Sequence, residues 1–324
     1  MNRFFLHALI LFVSSLLLDA DVVSEKKWFS ETPQNHDDLK AIQDRLKLIL
    51  SGAKKSLVAI ESEDGAGSGV IISEDGLVLT AAHVIGETGK KMKVRLPNGK
   101  SLPAVSLGGS EISDAGMLKI TKKGKWPHVQ IEKMNSSKVG DWCFAIGHPG
   151  GFDKERGIIV RLGRVIGKTE DTLQSDSRLL GGDSGGPLFN LNGKVIAIHS
   201  RISKEADQNF HVPIECFHIN WKFYKEGKLL TFDKIEKKGF LGVSCQATEE
   251  GLKILNVVEG SSAQKTGLQK DDILFSLDGE KLDSREELTI LISEKSPNDA
   301  VTIEFRRDKK QISLQVILGV RPSE

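Results

Sequence analysis

The sequence predicts a mainly β protein in which a barrel or sandwich is followed by a second, smaller β-rich domain. From Ser56 onward, short runs of apolar and β-branched residues alternate with turn sequences, a pattern typical of all-β domains. Glycine turns join neighbouring runs at residues 74–76, 97–99 and 192–193, which read EDG, PNG and NG. A charged stretch over residues 226–237 then separates these runs from a compact carboxy-terminal segment.

The amino terminus has the pattern of a secretory signal peptide. Arg3 precedes an apolar run that starts at Phe4, and the predicted peptide, residues 1–20, ends on a small residue. The apolar run is shorter than the roughly 18 to 20 residues that a membrane span needs, so an uncleaved anchor is the alternative. We therefore expect an exported protein, either periplasmic or secreted.

Residues 21–55 form a segment of their own with one amphipathic helix. Asp37 and Asp38 suit the start of this helix, and Gly52 suits its end. Its apolar residues recur at helical spacing, and they are Leu39, Ile42, Leu46, Ile49 and Leu50. We expect the apolar face to pack on the domain that follows.

The composition argues against a partner of strong charge. The chain has 45 Lys and Arg residues against 44 Asp and Glu residues, so it has no net attraction for nucleic acid. Its three cysteines, Cys143, Cys216 and Cys245, are odd in number and lie in apolar runs, which favours buried free thiols over disulfides. Their spacing indicates no metal site, and we expect neither a metal nor a cofactor.

A serine enclosed by glycines is the strongest chemical signal in the chain. Residues 178–189 read RLLGGDSGGPLF, and Ser184 is the serine. A tight glycine turn allows two backbone N–H groups to point into one space and leaves no side chain to block an approaching carbonyl group. A flexible surface loop is the alternative, but this run leads directly into an apolar strand. We therefore interpret Ser184 as a nucleophile.

A histidine and an aspartate earlier in the chain supply the partners that such a serine needs. His83 follows a predicted strand in VLTAAHVIG, and Asp114 precedes another in SEISDAGMLKI. Taken singly, each has a structural explanation, as a satisfied histidine or a turn-forming acid. The order His, Asp, Ser is one of the three chain orders known for the catalytic triad, and it is the order of double β-barrel hydrolases.

Longer motifs around these residues resemble the protease domain of the HtrA (Deg) family. They include SGVIISEDGLVLTAAHVI, DAGMLKI and QSDSRLLGGDSGGPLFNLNGKVIAI, and the resemblance covers residues 56–225. After the linker at 226–237, the motifs KGFLGV and GSSAQKTGLQKDDILFSLDGEKL resemble a PDZ domain over residues 238–322. The resemblance implies a chymotrypsin-like double β-barrel followed by a PDZ domain, which is a β-sandwich with short helices.

The same resemblance implies a serine endopeptidase that acts on unfolded or damaged polypeptides without a cofactor. His83 would be the general base, Asp114 its orienting acid and Ser184 the nucleophile, with the N–H groups of Gly182 and Ser184 as the oxyanion hole. A non-proteolytic, chaperone-like peptide-binding protein on the same fold is the alternative. An esterase is disfavoured because the pattern is that of a barrel and no Gly-x-Ser-x-Gly elbow follows a strand of a parallel sheet.

The resemblance does not decide which side chain the substrate pocket accepts. It places Ile198, His199 and Ser200 at the pocket for the residue before the cut, where a small or medium aliphatic side chain is the family default. His199 and Arg201 could narrow or charge this pocket, or they could face solvent.

Asp183 departs from the asparagine that most members of the family carry before the nucleophile. Its carboxylate needs solvent or an internal cation, and Arg161 and Arg178 are the two partners that we consider. We expect Asp183 to take part in switching the oxyanion loop.

The PDZ resemblance implies capture of peptide carboxyl termini. Gly239, Phe240, Leu241 and Gly242 match the loop that would bind the terminal carboxylate through backbone N–H groups, although GFLGV could also be a plain strand entrance. The family also implies a homo-oligomer, commonly a trimer. Trp28 and Phe29 lie where such a contact would form, or they pack on their own protomer.

Overall fold

The structure is a computed structural model that describes residues 32–62, 65–202 and 208–321. The predicted signal peptide, together with Trp28 and Phe29, lies outside these residues.

The predicted amino-terminal helix is present and longer than expected. Helix α1 (His36–Ser56) begins after Asn35, whose side-chain oxygen accepts a hydrogen bond of 3.0 Å from the Asp38 N–H. The prediction that the helix ends at Gly52 is wrong, because the helix continues through Gly52 to Ser56 and the backbone becomes extended only at Leu57. The helix packs on the following domain as expected, with Arg45 Nε donating to the Leu191 carbonyl at 2.7 Å.

The first barrel contains the strands that precede and follow His83. They are β1 (Leu57–Ser62), β2 (Gly65–Ile71), β3 (Leu77–Ala81), β4 (Lys91–Arg95), β5 (Ser101–Ser110) and β6 (Ala115–Ile120), with the short helix α2 (Ala82–Ile85) after β3. The strands pair in the order β5-β4-β1-β2-β3-β6, and an additional pairing of β5 with β6 closes the barrel.

The second barrel contains the nucleophile loop. Its strands are β7 (Trp142–Gly147), β8 (Ile159–Lys168), β9 (Leu173–Ser175), β10 (Pro187–Asn190), β11 (Val195–Ile202) and β12 (Asn209–Pro213). They form a closed barrel in the order β10-β11-β12-β9-β8-β7. The predicted glycine turns are confirmed, because Gly76, Gly99 and Gly193 have φ angles of +87°, +85° and +77° at the hairpin ends.

The two barrels share one apolar core, so their mutual orientation is set by packing. Phe144 on β7 and Phe189 on β10 stack with ring centroids 4.9 Å apart, and both are fully buried. The same cluster contains Leu79 and Met117 from the first barrel. The site between the barrels therefore rests on a continuous, close-packed interior.

The predicted linker contains secondary structure of its own. It follows α3 (Ile214–Ile219) and α4 (Trp221–Lys225), and it includes β13 (Leu229–Leu230) and α5 (Phe232–Glu236). Strand β13 pairs in parallel with β5, so this segment lies against the first barrel.

The carboxy-terminal domain is a sheet with helices on it. Its elements are β14 (Val243–Thr248), β15 (Gly251–Val257), α6 (Ser262–Lys265), β16 (Ile273–Leu277), β17 (Glu280–Lys281), α7 (Arg285–Ser293), β18 (Ala300–Arg307) and β19 (Lys310–Ile317). The sheet order is β14-β15-β16-β18-β19, with β17 paired to β16.

A buried carboxylate joins this domain to the first barrel. Glu286 on α7 accepts hydrogen bonds from Ser113 Oγ at 3.0 Å, Asn220 Nδ2 at 2.7 Å and Tyr224 Oη at 3.1 Å. Burial raises the pKa of Glu286, while these hydroxyl and amide donors lower it. The contact reaches the residue directly before Asp114.

The three cysteines are buried free thiols, which confirms the prediction. Across the described ranges, the helices are too short or too polar to cross a bilayer.

Candidate active site

His83 and Asp114 meet at the edge of the first barrel. His83 lies on α2, and Asp114 lies in the turn between β5 and β6, where its φ of +60° turns the chain sharply. His83 Nδ1 is 2.9 Å from Asp114 Oδ1 and 3.0 Å from Oδ2, and the His83 backbone N–H also donates to Oδ1 at 3.1 Å. The aspartate therefore holds both the ring and the backbone of the histidine.

The contact raises the pKa of His83 and lowers that of Asp114, which are the directions expected for a base and its orienting acid. The hydrogen bond that His83 donates to Asp114 raises the pKa of His83 above its ordinary value, although burial opposes the shift. Burial raises the pKa of Asp114, but the hydrogen bonds and charge of His83 outweigh it, so this carboxyl stays ionised. Since Asp114 accepts the Nδ1–H, the other ring nitrogen of His83 is free to accept a proton.

Ser184 lies between the barrels, with its backbone held on both sides. Its carbonyl accepts the Ser68 N–H at 2.7 Å, and the next residue, Gly185, donates to the His199 carbonyl at 2.7 Å. Ser184 Oγ is 3.5 Å from the Ser200 carbonyl oxygen, and no hydrogen bond joins it to His83 among the described residues. In unliganded enzymes such bonds are commonly long and tighten only around the substrate.

Ser200 is a site residue whose main contact sequence reasoning missed. Its Oγ donates to Asp114 Oδ2 at 2.6 Å, while its carbonyl faces Ser184 Oγ. A single residue of the second barrel thus contacts both the acid and the nucleophile. We predicted Ser200 only as a pocket residue, because nothing in the strand sequence indicates which carboxylate its hydroxyl would meet.

Gly182 adopts a conformation that requires glycine. Its φ is +94°, and a Cβ at this position would lie 2.6 Å from both the Gly150 nitrogen and the His148 oxygen. Ser68 Oγ donates to the Gly182 carbonyl at 2.9 Å, which fixes the peptide. The N–H groups of Gly182 and Ser184 donate to no group in the described part of the chain, so both are available to an oxyanion.

Asp183 is buried and paired with Arg161, one of the two cations that we considered. Asp183 Oδ2 lies 3.0 Å from Arg161 Nη2 and accepts the Leu180 N–H at 2.9 Å, whereas Arg178 is exposed. Burial raises the pKa of Asp183, and the Leu180 N–H and the Arg161 guanidinium oppose this rise. The acid therefore anchors the nucleophile loop to strand β8.

A pocket of about 140 Å³ opens beside Ser184. Its walls include His199 and Ser200, together with Arg201. Ile198, the third residue expected at the pocket, is not among its lining residues, because its side chain is fully buried in the apolar core that the two barrels share. His199 is fully buried, and Arg201 is exposed with its guanidinium 5.3 Å from the Phe210 ring.

Family models match both parts of the chain. A trypsin-like peptidase domain model matches residues 67–198, and a PDZ domain model matches residues 239–318. A probable periplasmic serine endoprotease, DegP-like, from Ectopseudomonas mendocina is 33% identical over 279 residues, which is 80% of this chain and 57% of that protein. The DegP-like relative of Chlamydia pneumoniae is 30% identical over 80% of this chain and 56% of its own length. The chain therefore contains a trypsin-like peptidase domain followed by a PDZ domain, and it is similar to proteins named DegP-like serine endoproteases.

Solved structures agree with this assignment at the level of the fold. A serine endoprotease from Yersinia pestis has a TM-score of 0.56 at 23% identity, over 89% of this chain and 99% of that one. The HtrA-type protease AlgW with a tripeptide has a TM-score of 0.57 at 23% identity, over 85% and 97%. The chain spans little more than half the length of the DegP-like relatives it matches.

The PDZ domain has a groove beside its first strand. Strand β14 is the edge of the sheet, and a pocket of about 90 Å³ lies between it and α7, lined by Gly239, Phe240, Leu241 and Gly242. The N–H groups of Gly239 and Phe240 already donate to the Lys295 and Gly319 carbonyls. Those of Leu241 and Gly242 donate to no described group, so only half of the predicted loop has free donors.

The chain gives no indication of a bound ion at these sites. In the ranges that the structure describes, no group of three or more His, Cys, Asp or Glu side chains is placed to hold a metal.

The Arg161–Asp183 pair leads to a stability prediction. The variant Arg161→Gln leaves a buried carboxylate without its cation, so we expect the free energy of unfolding to fall by about 3–5 kcal/mol. The measurement is equilibrium urea unfolding of the full chain. The double variant Arg161→Gln/Asp183→Asn removes the uncompensated charge and should recover at least half of the loss.

The control removes one charge of a surface pair. Lys125 lies 2.9 Å from Glu74 with 84% of its side chain exposed, so Lys125→Gln should cost less than about 1 kcal/mol. A double variant no more stable than Arg161→Gln would contradict the role given to Asp183.

Proposed function

We propose that the chain is a serine endopeptidase that hydrolyses peptide bonds of unfolded or damaged exported proteins through an acyl-enzyme. The observation that carries this proposal is the doubly hydrogen-bonded His83–Asp114 pair beside Ser184 and its glycine loop. Asp114 also accepts a hydrogen bond from Ser200, on the strand that borders the pocket beside Ser184. A purely structural role for His83 would not require this link between its carboxylate and the pocket. Relatives named as serine endoproteases support the same reaction class.

The geometry supports the following reaction sequence. His83 accepts the Ser184 hydroxyl proton as Oγ attacks the scissile carbonyl, and Asp114 stabilises the imidazolium that forms. The N–H groups of Gly182 and Ser184 receive the oxyanion, an arrangement worth about 2.7–4 kcal/mol per donor. His83 then returns the proton to the leaving amine, and water attacks the acyl-enzyme by the reverse route.

The site of action follows from the relatives and the leader. The DegP-like proteins are named periplasmic, and the first residues have the pattern of a signal peptide, so we place this protein outside the cytoplasm. Its predicted partners are unfolded polypeptides at the double barrel and peptide carboxyl termini at the PDZ domain. A homo-oligomer, with a trimer implied by the family resemblance, remains part of the proposal.

Replacing the nucleophile tests the reaction directly. We expect Ser184→Ala to lower the cleavage rate of unfolded casein at least 10⁴-fold, because the acyl-enzyme cannot form. A fluorophosphonate probe should label the unaltered protein and not the variant, while circular dichroism and the thermal midpoint stay unchanged. Ser136→Ala changes an exposed serine and should retain both activity and labelling. Equal cleavage by Ser184→Ala, or no labelling of the unaltered protein, would leave only the non-proteolytic alternative.

The raised pKa of His83 predicts the acid limb of the activity profile. Only the neutral imidazole can act as base, and Asp114 raises its pKa above the ordinary 6.5. We therefore expect kcat/KM to rise with pH through a midpoint above 6.5 and to be lost as the pH falls below it.

The variant Asp114→Asn checks the cause of that midpoint. It should lower kcat by about 10⁴-fold and move the residual limb to lower pH, because the asparagine cannot stabilise the imidazolium. An acid limb unmoved in this variant would contradict the assignment of the titration to His83.

Peptide binding by the PDZ groove is tested by removing one charge from the ligand. Leu241, Val243, Leu288 and Ile292 make the groove apolar, and Arg321, with its guanidinium 4.8 Å from the Phe240 ring, adds a positive charge beside the free N–H groups. We expect a fluorescent peptide with an aliphatic carboxyl terminus to bind Ser184→Ala at least tenfold more tightly than its carboxy-terminal amide, since charge-assisted hydrogen bonds are lost. Fluorescence anisotropy provides the measurement, and equal affinities would contradict carboxylate capture.

A further inference from the structure

Two histidines lie side by side in the wall of the pocket next to the nucleophile. His199 on β11 and His211 on β12 are directly opposite each other in the strand register, and their Nδ1 atoms are 3.0 Å apart. Both rings are buried, with 0% and 1% of the residue exposed. The family default of an aliphatic side chain in this pocket does not explain why two imidazoles are buried beside it.

The hydrogen bonds set the direction in which these rings donate. The Ser177 N–H donates to Ser175 Oγ at 3.3 Å, and that hydroxyl lies 2.7 Å from His211 Nε2. If the Ser175 hydroxyl donates to His211 Nε2, the hydroxyl hydrogen has an acceptor. If His211 Nε2–H donated to Ser175 Oγ instead, the hydroxyl hydrogen would have no acceptor among the described residues. His211 Nδ1–H then donates to His199 Nδ1, and the proton of His199 is on Nε2.

That Nε2–H is an unmet donor. In the described part of the chain, His199 Nε2 is buried and has no hydrogen-bond partner. Burial, the neighbouring His211 and the Arg161 charge lower the pKa of His199 well below its ordinary value. The Ile146 carbonyl is near enough to the ring to oppose this shift, but it does not complete a hydrogen bond of normal length and angle with Nε2. The ring is therefore neutral and donates a single N–H, which an oxygen atom of a ligand can accept.

The charges around the pocket favour an anion. Arg201 lines it, and Arg161 lies near enough to His199 to act on its titration. The nearest acid of this loop, Asp183, is engaged by Arg161 and the Leu180 N–H. The volume of about 140 Å³ is close to the roughly 150 Å³ of a cavity that holds benzene, so it suits one medium-sized side chain.

We propose that this pocket binds a glutamate side chain, with His199 as the residue that determines cleavage after an acidic position. The carboxylate accepts the otherwise unmet Nε2–H, and the Arg201 charge, which lines the pocket, compensates its burial. An aliphatic side chain offers no acceptor, so the N–H would remain unsatisfied in that complex and the acidic side chain is favoured over it. The proposal rests on the proposed endopeptidase function and adds its substrate class.

Three peptides that differ only in the residue before the cut test the proposal. Glutamate is compared with glutamine, which has the same shape without the charge, and with valine, the aliphatic default. With the full chain we expect kcat/KM for glutamate to exceed each of the others at least tenfold. Mass spectrometry of an unfolded casein digest should show the same preference among its cleavage sites.

Two variants then locate the preference in the pocket. His199→Val should lower the glutamate-to-valine ratio of kcat/KM at least tenfold, because it removes the donor. Arg201→Gln changes an exposed side chain, so it tests the charge without disturbing the core, and it should lower the glutamate-to-glutamine ratio at least threefold. His218→Gln alters a histidine that bonds the Glu132 carbonyl away from the pocket, and it should change neither ratio.

The outcomes separate the two proposals. Cleavage of the valine or glutamine peptide as fast as the glutamate peptide overturns the acidic pocket while the endopeptidase function stands. Unaltered selectivity in folded His199→Val, with folding checked by its thermal midpoint, also overturns it. Cleavage of none of the peptides, together with no fluorophosphonate labelling, overturns the proposed function itself.

Discussion

The carboxylate of Asp114 is the contact on which the arrangement of the site depends. It accepts two hydrogen bonds from His83 of the first barrel and one from Ser200 of the second, so one charged group holds the two barrels in catalytic register. The shared apolar core brings the barrels together, but packing alone is tolerant of small shifts. Charge-assisted hydrogen bonds add the directional constraint that a proton transfer requires. The PDZ domain reaches the same turn through Glu286 and Ser113, which makes the position of the acid dependent on all three parts of the described chain.

A second buried charge organises the nucleophile loop. The asparagine that the family resemblance implies at position 183 would carry no charge, whereas this chain buries a carboxylate there and must supply a cation. Arg161 does so from the neighbouring strand β8, and Leu180 adds a backbone donor from the loop itself. The result is a loop tied at both ends, with Gly182 confined by the His148 and Gly150 backbone. The loop therefore keeps its contacts despite the two glycines before Asp183. Of these two, Gly181 alone has no neighbouring atom within 4 Å of an added Cβ, so only its position is uncrowded.

The proposed catalytic residues could be singled out from the sequence because they lie within local patterns. His83 and Ser184 are surrounded by small residues that only a tight, ordered turn would need, and Asp114 precedes a strand by one position. Cys143, Cys216 and Cys245 were likewise predictable as buried thiols from their apolar neighbours. Ile198 was expected at the pocket because the interpretation relied on proximity along the chain, whereas its side chain packs in the core that the two barrels share. The pairing of β11 with β12 shifts its register between His199 and Arg201, so the facing of these side chains could not be read from simple alternation. Helix α1 passes Gly52 because a single glycine costs only about 1 kcal/mol in a helix, which the burial of Ile42 and Ala53 in the shared apolar core can offset.

By itself, the sequence determined the domain types and the glycine turns, and it singled out His83, Asp114 and Ser184 as the proposed triad, with an acid directly before the serine. Only the tertiary structure decided which groups those residues meet. The pairing of Asp183 with Arg161, of Ser200 with Asp114 and of His199 with His211 each joins different strands or loops, and the register of the barrels selects one partner among several of the same chemistry. Local structure can be predicted from neighbouring residues in the sequence. A hydrogen bond across a barrel depends instead on the register in which two strands pair, which neighbouring residues do not specify.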